Sequence, residues 1–350
     1  MLNPCLCALR LHIQIHSQES GRQKRHDPAC KKERDAAGFF HAGRLRSDSL
    51  KKSIKAPAKA SATRTLVILN PAARGERART LHARIAKLTD GASLKSTSRS
   101  GEAESLARAA AKEGYDIVVA AGGDGTINEV VNGLAGTDAA LGLLPLGTMN
   151  VFATELGLPA SNLSRCWEII QDEHVRRIDL PSANGKHFVQ LAGVGFDAQV
   201  VQETSRAFKR SFGPLSYLVS AAQIAARRPP RLRIESENAV TEEGSFVLVG
   251  NGRLYGGPFP FFKQAVIDDG LLDVLVFKRL NYIEIVRYMQ NVIFSSQITS
   301  PKVEYFHTKS LRVSSEGAVP IEIDGELIGN CPVEFKIPRR ALRVLAPRAT

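Results

Sequence analysis

Residues 118–129 read Val118-Val119-Ala120-Ala121-Gly122-Gly123-Asp124-Gly125-Thr126-Ile127-Asn128-Glu129, an apolar run that ends at three glycines around one aspartate. This pattern predicts a strand, a tight glycine turn and the first turn of a helix. Glycine lets a ligand approach the backbone closely, and the free N–H groups at a helix start favour phosphate. Asp124 adds a carboxylate that could hold Mg²⁺ or orient a nucleotide. Considered alone, the stretch also fits a purely structural turn.

The neighbouring segments alternate between strand and helix patterns that are joined by short loops. The predicted strands are 65–69, 94–97, 116–120 and 140–144, and the predicted helices are 77–88, 103–112 and 126–134. This alternation predicts a parallel, Rossmann-like α/β sheet with ligands at the carboxyl ends of its strands. We assign residues 65–176, together with about 338–350, to this nucleotide-binding α/β domain.

Short β-rich runs dominate the chain after about residue 176. They are 177–180, 188–191, 231–235, 245–249, 271–277, 311–313, 321–323 and 333–337, with helical interruptions near 212–226 and 282–293. The pattern predicts a second, antiparallel β-sandwich domain over residues 177–337, which we expect to hold the acceptor of a reaction. The segment 340–347 is expected to return to the first domain. The predicted fold class is therefore α/β plus β.

Most of the positive charge lies in the N-terminal segment. Residues 1–64 hold 14 Lys and Arg against 5 Asp and Glu, so they carry +9 of the total +12 and leave +3 for residues 65–350. We expect residues 1–64 to be a disordered basic extension, either simply solvated or weakly attracted to an anionic surface. A body with a net charge of only +3 and no recognition motif does not indicate a nucleic-acid partner.

The use of cysteine and the hydropathy pattern bear on the cellular compartment. The chain has five cysteines, three of them in the N-terminal extension, and no spacing typical of a metal site or a disulfide framework. No run approaches the roughly 20 apolar residues that span a bilayer. We therefore expect a cytoplasmic protein whose contact with a membrane, if it has one, is peripheral.

Five motifs in a fixed order resemble those of one enzyme family. They are Gly122–Glu129, Leu143–Asn150, Gly193–Ala198, Asp268–Asp273 and Ile323–Glu326. The series resembles the diacylglycerol kinase catalytic family, which includes bacterial lipid kinases and sphingosine and ceramide kinases. It is more distantly similar to the NAD kinase and phosphofructokinase group. The similarity covers about residues 65–347.

The resemblance implies that ATP binds at the carboxyl ends of the first sheet. Asn70 matches an Asn-Pro turn near the nucleotide, and Thr97 matches a threonine that contacts it; turn formation is the alternative role of Asn70. Thr148 offers a hydroxyl from a neighbouring strand end. The phosphate loop itself is expected to consist of Gly122, Gly123, Asp124, Gly125, Thr126 and Asn128, with the last two supplying side-chain donors.

The same resemblance assigns the chemistry of phosphoryl transfer to two acids. Glu326 is implied as the general base that takes the proton of the acceptor hydroxyl, which requires a pKa raised toward neutrality. Asp124 is the candidate that organises the Mg²⁺ bound to the nucleotide. For Asp324-Gly325-Glu326 the alternative is a β-turn with two solvated acids.

A second cation site is implied at the turn that follows residue 265. Asp269 would contribute a carboxylate, and Val266 and Leu271 would contribute backbone carbonyl oxygens. Oxygen ligands of this kind suit Mg²⁺ or Ca²⁺. The alternative is an Asp-Asp-Gly hairpin turn without a metal.

The sequence is less informative about the acceptor. Asp197, Lys209 and Arg210 are candidates for contact with the acceptor or its phosphate, and their alternatives are a helix cap and a solvated basic turn. Phe259, Phe261 and Phe262 could line an apolar cleft or touch the membrane, although aromatic side chains more often belong to a core.

The motifs together favour an ATP- and Mg²⁺-dependent lipid kinase with diacylglycerol as the leading acceptor at the membrane surface. Phosphatidylglycerol, sphingoid lipids and a soluble acceptor such as NAD remain alternatives, as does a non-catalytic nucleotide- or membrane-binding protein. A homodimer is also left open.

Overall fold

The computed structural model describes residues 63–348 with gaps at 73–77, 197, 200–228, 238–240, 258, 279–283, 285–287 and 289–299. The predicted N-terminal extension up to residue 62 lies outside the described residues. So does nearly all of the predicted helices at 212–226 and 282–293. Residues Ala60–Thr350 form one compact unit.

A six-stranded sheet forms the first half of this unit. Its strands are β1 (Thr65–Leu69), β2 (Ser93–Ser96), β3 (Ile117–Gly122), β4 (Ala140–Pro145), β5 (Val175–Ile178) and β20 (Leu342–Leu345). Their order is β2-β1-β3-β4-β20-β5, and every neighbouring pair is parallel except β20 with β5. The predicted parallel α/β sheet is confirmed.

In the part of the chain that the structure describes, five helices accompany this sheet. They are α1 (Ala78–Leu88), α2 (Glu102–Lys112), α3 (Asp124–Leu134), α4 (Val151–Glu155) and α5 (Leu163–Gln171). The central strands β3 and β4 are buried along their whole length, as apolar runs covered on both faces should be. Helix α3 buries Ile127, Val130, Val131 and Leu134, the face that its apolar spacing predicts. We call the first sheet and these helices the nucleotide lobe.

Two further sheets pack face to face and form the sandwich lobe. Their strands are β6 (Ser182–Ala183), β7 (Lys186–His187), β8 (Leu191–Val194), β9 (Leu232–Ser236), β10 (Thr241–Gly244), β11 (Phe246–Gly250), β14 (Leu272–Phe277), β15 (Val303–Thr308), β16 (Ser310–Ser315), β17 (Pro320–Ile323), β18 (Glu326–Asn330) and β19 (Val333–Lys336). The orders are β10-β9-β16-β19-β6-β7 and β15-β14-β11-β8-β17-β18, with antiparallel pairing throughout. The predicted antiparallel sandwich is confirmed.

Alternating side chains of both sheets meet in the core of the sandwich. Val194, Val249 and Ile321 from one sheet share a buried cluster with Val313 and Phe335 from the other. A short hairpin of β12 (Leu254–Tyr255) and β13 (Phe259–Pro260) stands apart from both sheets.

The structure differs from the sequence expectations in several elements. The boundary placed after residue 176 falls inside β5, which pairs with β20 in the nucleotide lobe, so the run 177–180 does not begin the sandwich. The strand expected at 188–191 begins only at Leu191; the N–H groups of Val189 and Gln190 donate to the side chain of Asp324. Helices α4 and α5 and strand β15 were not predicted, since their apolar patterns are short and interrupted.

Candidate active site

The loops that follow β3 and β4 pack backbone against backbone. A Cβ on Gly147 would lie 2.7 Å from the Cα of Gly123, and a Cβ on Gly122 would lie 2.5 Å from Oγ1 of Thr126. The N–H of Leu146 donates to the carbonyl of Gly122 at 2.8 Å, which joins the two loops. Glycine is required at this contact because any side chain would separate the loops. The result is a backbone-lined cradle at the carboxyl ends of two parallel strands.

Asn150 organises the second of these loops, a role the sequence did not reveal. Its Oδ1 accepts from the N–H of Gly147 at 2.9 Å, and its Nδ2 donates to the carbonyl of the same residue at 2.8 Å. The residue adopts a φ of 48°, which asparagine tolerates better than most side chains. These bonds leave Thr148 exposed beside the cradle, as its expected contact with the nucleotide requires.

Asp124 begins α3 and carries an oxygen without a partner. Its Oδ1 is buried and makes no hydrogen bond within the described part of the chain. Burial raises the pKa of the Asp124 carboxyl, and the backbone N–H groups of Phe152, Val151 and Asn150 oppose that rise. A shielded carboxylate oxygen with free lone pairs next to a phosphate-type cradle fits the first ligand of a divalent cation.

Asn70 and Thr126 form a linked pair beside the cradle. Nδ2 of Asn70 donates to Oγ1 of Thr126 at 3.0 Å, while Oδ1 of Asn70 accepts from the N–H of Ala72 at 3.0 Å. Asn70 therefore both forms the turn and supports the loop. Because the hydroxyl of Thr126 is the acceptor in this bond, its own hydrogen is available to a phosphate oxygen.

Thr97 lies next to the same turn and is buried. Its N–H donates to the carbonyl of Leu69 at 2.8 Å, and its hydroxyl lies 3.5 Å from that oxygen. Thr97 therefore closes the end of β1, one residue before Asn70. This position is compatible with the predicted nucleotide contact.

Asn128 does not supply a phosphate donor, contrary to the sequence expectation. It is only 1% exposed, and its Nδ2 donates to Oδ2 of Asp324 at 2.9 Å and to the carbonyl of His187 at 3.2 Å. Both amide hydrogens are thus used in contacts with the sandwich lobe. The sequence pattern alone cannot distinguish these uses, because a polar residue on the first turns of α3 suits either one.

The turn Asp324-Gly325 joins β17 to β18 as a two-residue hairpin with φ values of 45° and 85°. The turn of the alternative prediction is present, but Asp324 is not a solvated acid. Its carboxylate accepts from the backbone N–H groups of Val189, Gln190 and Leu191 at 2.8, 3.0 and 3.1 Å, besides the amide of Asn128. Burial raises the pKa of Asp324, and these four donors oppose the rise. Three of these bonds tie the turn to the segment Val189–Leu191 within the sandwich lobe, and the bond from Asn128 links it to the nucleotide lobe.

Glu326 lies over the first turn of α3. Its Oε1 is 3.3 Å from the position that a Cβ on Gly125 would occupy, so the glycine makes room for the carboxylate. Nζ of Lys186 lies 3.9 Å from Oε2, with the two side chains 42% and 40% exposed. Burial raises the pKa of Glu326; Lys186 opposes the rise, and Glu129 and Asp324 add to it. A carboxylate with a raised pKa therefore stands at the phosphate loop, as a general base should.

The turn of the predicted second cation site is closed by its own hydrogen bonds. Oδ1 of Asp269 accepts from the N–H of Leu271 at 2.9 Å, and the carbonyl of Val266 accepts from the N–H of Asp269 at 3.3 Å. Asp179, which lies in none of the sequence motifs, holds the turn by accepting from the N–H of Gly270 at 2.6 Å. Among the described residues no cluster of three or more His, Cys, Asp or Glu could hold a metal.

The candidate acceptor residues divide into three groups. Asp197, Lys209 and Arg210 lie outside the described residues. Phe261 and Phe262 are buried in a core cluster of the sandwich lobe and are not available to a ligand. Phe259 is 37% exposed.

An exposed apolar pair lies beside the cradle. Met149, in the loop after β4, is 48% exposed. Its methyl group lies 2.7 Å from the position of a Cβ on Gly257, and the ring of Phe259 lies 3.5 Å from the same position. We call Met149 and Phe259 the apolar pair. Of the helices that the structure describes, none has the length and hydropathy to cross a membrane.

Both lobes match domains of known protein families. Residues 64–183 match the diacylglycerol kinase catalytic domain, and residues 190–346 match the YegS C-terminal NAD kinase beta sandwich-like domain. A diacylglycerol kinase of Staphylococcus haemolyticus is 34% identical over 256 residues, which cover 72% of this chain and 77% of the relative. One of Bacillus subtilis is 30% identical over 260 residues, with 73% and 86% covered.

A solved structure has the same fold. The crystal structure of a diacylglycerol kinase from Bacillus anthracis matches with a TM-score of 0.63 at 25% identity, covering 81% of this chain and 97% of that one. Sequence and structure agree across both lobes, so the chain belongs to the diacylglycerol kinase catalytic-domain family.

Proposed function

We propose that this lipid kinase transfers the γ-phosphoryl group of ATP to the hydroxyl of diacylglycerol and forms phosphatidic acid. The observation that carries the proposal is the position of Glu326, whose carboxylate stands against Gly125 at the first turn of α3. The names of the two curated relatives support diacylglycerol as the acceptor.

The donor side of the site is built for a polyphosphate. The glycine cradle offers backbone N–H groups at a helix start, and Thr126 offers a hydroxyl hydrogen. No lysine or arginine occurs between Gly122 and Asn128, so the loop supplies no cationic side chain of its own. Asp124 would hold Mg²⁺ through its unpartnered Oδ1. When bound, Mg²⁺ would neutralise the charge that accumulates on the transferring phosphoryl group.

Glu326 would act on the acceptor side as the general base. Its carboxylate would accept the proton of the lipid hydroxyl as that oxygen forms its bond to the γ-phosphorus. The bond from the γ-phosphorus to the β–γ bridging oxygen would break in the same step, ADP would leave with that oxygen, and the proton would later pass to solvent. A pKa raised by burial makes it a better base than an ordinary surface glutamate. Its partial exposure provides the route to solvent.

The acceptor would reach the site from a membrane surface. Met149 of the apolar pair follows Thr148 in the chain, so acyl chains could remain in contact with apolar side chains while the hydroxyl reaches Glu326. The basic segment 1–64 would add attraction to anionic lipids. We therefore propose peripheral membrane contact for this protein.

A second cation, Mg²⁺ or Ca²⁺, would bind at the turn of Val266, Asp269 and Leu271. The support is chemical, because carbonyl and carboxylate oxygens are the ligands these hard cations prefer. The turn already has a defined shape without the ion, through the bonds around Asp269. Its role would be structural, and the transfer reaction does not pass through it.

The deciding experiment measures label transfer from radioactive ATP into a mixed-micelle panel of diacylglycerol, phosphatidylglycerol, sphingosine and ceramide, with NAD as a soluble acceptor. We expect labelled phosphatidic acid, reduced on the order of 10²–10⁴-fold in Glu326→Gln. Glu334→Gln is the matched control, because Glu334 is also paired with a lysine, Lys336, at 3.0 Å but lies on the other sheet of the sandwich.

Other results would name a different function. Label in another lipid would replace the acceptor, and label in NAD alone would indicate a soluble substrate. ATP binding without transfer to any acceptor would favour a non-catalytic role. Deletion of residues 1–59 separates that role from a kinase, which should keep most of its activity in detergent micelles. The deletion must spare Arg64, which bonds to Asp116 and stacks on Tyr115.

A further inference from the structure

An asparagine in the C-terminal half of helix α3 is hydrogen-bonded to the sandwich lobe. Oδ1 of Asn132 accepts from the N–H of His187 at 2.9 Å, and Nδ2 of Asn132 donates to the carbonyl of the same residue at 2.9 Å. The side chain thus bonds the main chain of β7 as a neighbouring strand would. Strand β7 lies at the end of its sheet, where these two backbone groups would otherwise lack a strand partner.

Strand β7, to which Asn132 is bonded, places a cation close to the general base. Lys186 precedes His187 and places its Nζ 3.9 Å from Oε2 of Glu326. On the other side, Asn128 lies one turn before Asn132 and bonds Asp324, two residues before Glu326. The two asparagines are bonded to each other, because Nδ2 of Asn132 donates to Oδ1 of Asn128 at 3.1 Å.

We propose that Asn132 is a positioning residue: by holding the main chain of His187 it keeps Lys186 opposite Glu326 and aligns this base with the phosphate loop. The proposal rests on the function proposed above and assigns a role to Asn132 and Lys186. The charged groups described around Glu326 are Lys186 on β7, Glu129 on α3 and Asp324 in its own turn. Lys186 is the cation of this set, so its position controls the charge that Glu326 experiences.

A purely structural role for Asn132 makes a different prediction. Loss of a lobe contact that only stabilises the fold would lower the amount of folded enzyme without changing the titration of Glu326. Loss of the positioning contact would leave the main chain of His187, within the described part of the chain, with only the 3.2 Å bond from Asn128 to its carbonyl, so Lys186 would move and that titration would change even in fully folded protein. The pH dependence of catalysis therefore distinguishes the two roles, whereas the melting temperature does not.

The test compares Asn132→Ala, Lys186→Met and the double variant in the pH profile of kcat/KM for diacylglycerol. We expect Lys186→Met to raise the apparent pKa on the acid side of this profile, the acid limb, by about half a pH unit. This is the size typical of an exposed ion pair about 4 Å apart. Asn132→Ala should move the acid limb in the same direction and lower kcat about tenfold, with the KM for ATP within about twofold. The double variant should shift no further than Lys186→Met, because both changes remove one effect.

Two controls separate charge and main-chain contact from other effects. Lys186→Arg keeps the positive charge and should leave the limb in place. His187→Ala keeps the N–H and carbonyl that Asn132 binds, so it should also leave the limb in place. An unmoved limb in Lys186→Met, or additive shifts in the double variant, would overturn the proposal. If Asn132→Ala does not fold, the lysine variants still decide whether Lys186 acts on Glu326.

A second readout does not depend on activity. Glutamate labelled with ¹³C at the carboxyl carbon allows the titration of Glu326 to be followed by NMR, with its signal assigned by its absence in Glu326→Gln. If the signal follows Lys186→Met and Asn132→Ala as stated while the wild type phosphorylates no lipid, the proposed function fails and the positioning role stands. If neither substitution changes the titration of Glu326, the positioning role alone is overturned.

Discussion

Asp124 in the nucleotide lobe and Asp324 in the sandwich lobe are both partly buried aspartates next to glycine, yet their carboxylates are used differently. The oxygens of Asp324 accept four hydrogen bonds from three backbone N–H groups and one amide. Oδ1 of Asp124 accepts none within the described chain. Burial raises the pKa of both, so a raised pKa alone does not tell a structural acid from a ligand-binding one.

The difference lies in which lone pairs remain free. A shielded polar atom without a partner costs stability, so it persists where a ligand completes it. Asp324 contributes to the fold because its partners are all within the chain. In Asp124, backbone N–H groups near Val151 act on the carboxylate, while Oδ1 has no donor among the described residues and is open to a cation. The comparison predicts that substitutions at the two positions affect different properties of the protein.

The largest expected effect is on catalysis at Asp124. Asp124→Asn should reduce kcat/KM on the order of 10²–10³-fold, because it removes the anionic oxygen proposed to hold Mg²⁺. The free energy of unfolding should not fall, since Oδ1 makes no hydrogen bond within the described residues and the remaining amide oxygen can still accept from the backbone N–H groups near Val151. Kinetics tests the loss of kcat/KM, and urea denaturation of the same preparation tests the free energy of unfolding. A large loss of stability in Asp124→Asn would erase the contrast with Asp324.

The next effect is on stability at Asp324. Asp324→Ala should lower the free energy of unfolding by about 3 kcal/mol, because it leaves several buried N–H donors unpaired. Urea denaturation measures the loss. Glu334→Gln, at an exposed ion pair, should stay within about 0.5 kcal/mol. An equally small loss in Asp324→Ala would mean that its four hydrogen bonds do not stabilise the fold.

A smaller effect is expected when a substitution places a methyl group between the two loops of the cradle. Gly147→Ala should destabilise the protein by about 2 kcal/mol and raise the KM for ATP, because its Cβ would lie 2.7 Å from Gly123. Gly317→Ala is the control, since no atom lies within 4 Å of its Cβ position. Thermal denaturation and ATP kinetics test the pair. A normal KM for ATP in folded Gly147→Ala would show that the cradle does not bind the phosphates.

The smallest effect is a pH dependence of stability in metal-free protein. Because the pKa of Asp124 is raised in the folded state, its favourable contribution is present below the unfolded pKa of about 3.9 and is lost as the pH rises through the folded value. Asp124→Asn should therefore gain stability relative to the wild type as the pH increases above about 4. Urea denaturation at pH 3.5 to 7 measures the difference, and a constant difference would contradict the assignment.

Local sequence patterns predicted the elements that depend on local physics. Strands β1, β3 and β4 are continuous apolar runs and α3 has a periodic apolar face, so their type and order were predictable. The glycines around Asp124 likewise indicated a strand-to-helix turn. Elements with interrupted patterns, such as α4 and β15, were missed because their formation depends on packing by distant parts of the chain.

The sequence by itself determined the two-lobe fold class, the family and the two acids at the centre of the proposed reaction. Only the tertiary structure showed that the side-chain amide of Asn128 donates to Asp324, 196 residues away, and that Asn132 is bonded to the strand that contains Lys186. The physical reason is that a side chain's chemical role depends on which of its donors and acceptors are already paired. Those partners come from distant segments, so their pairing is decided only when the chain folds.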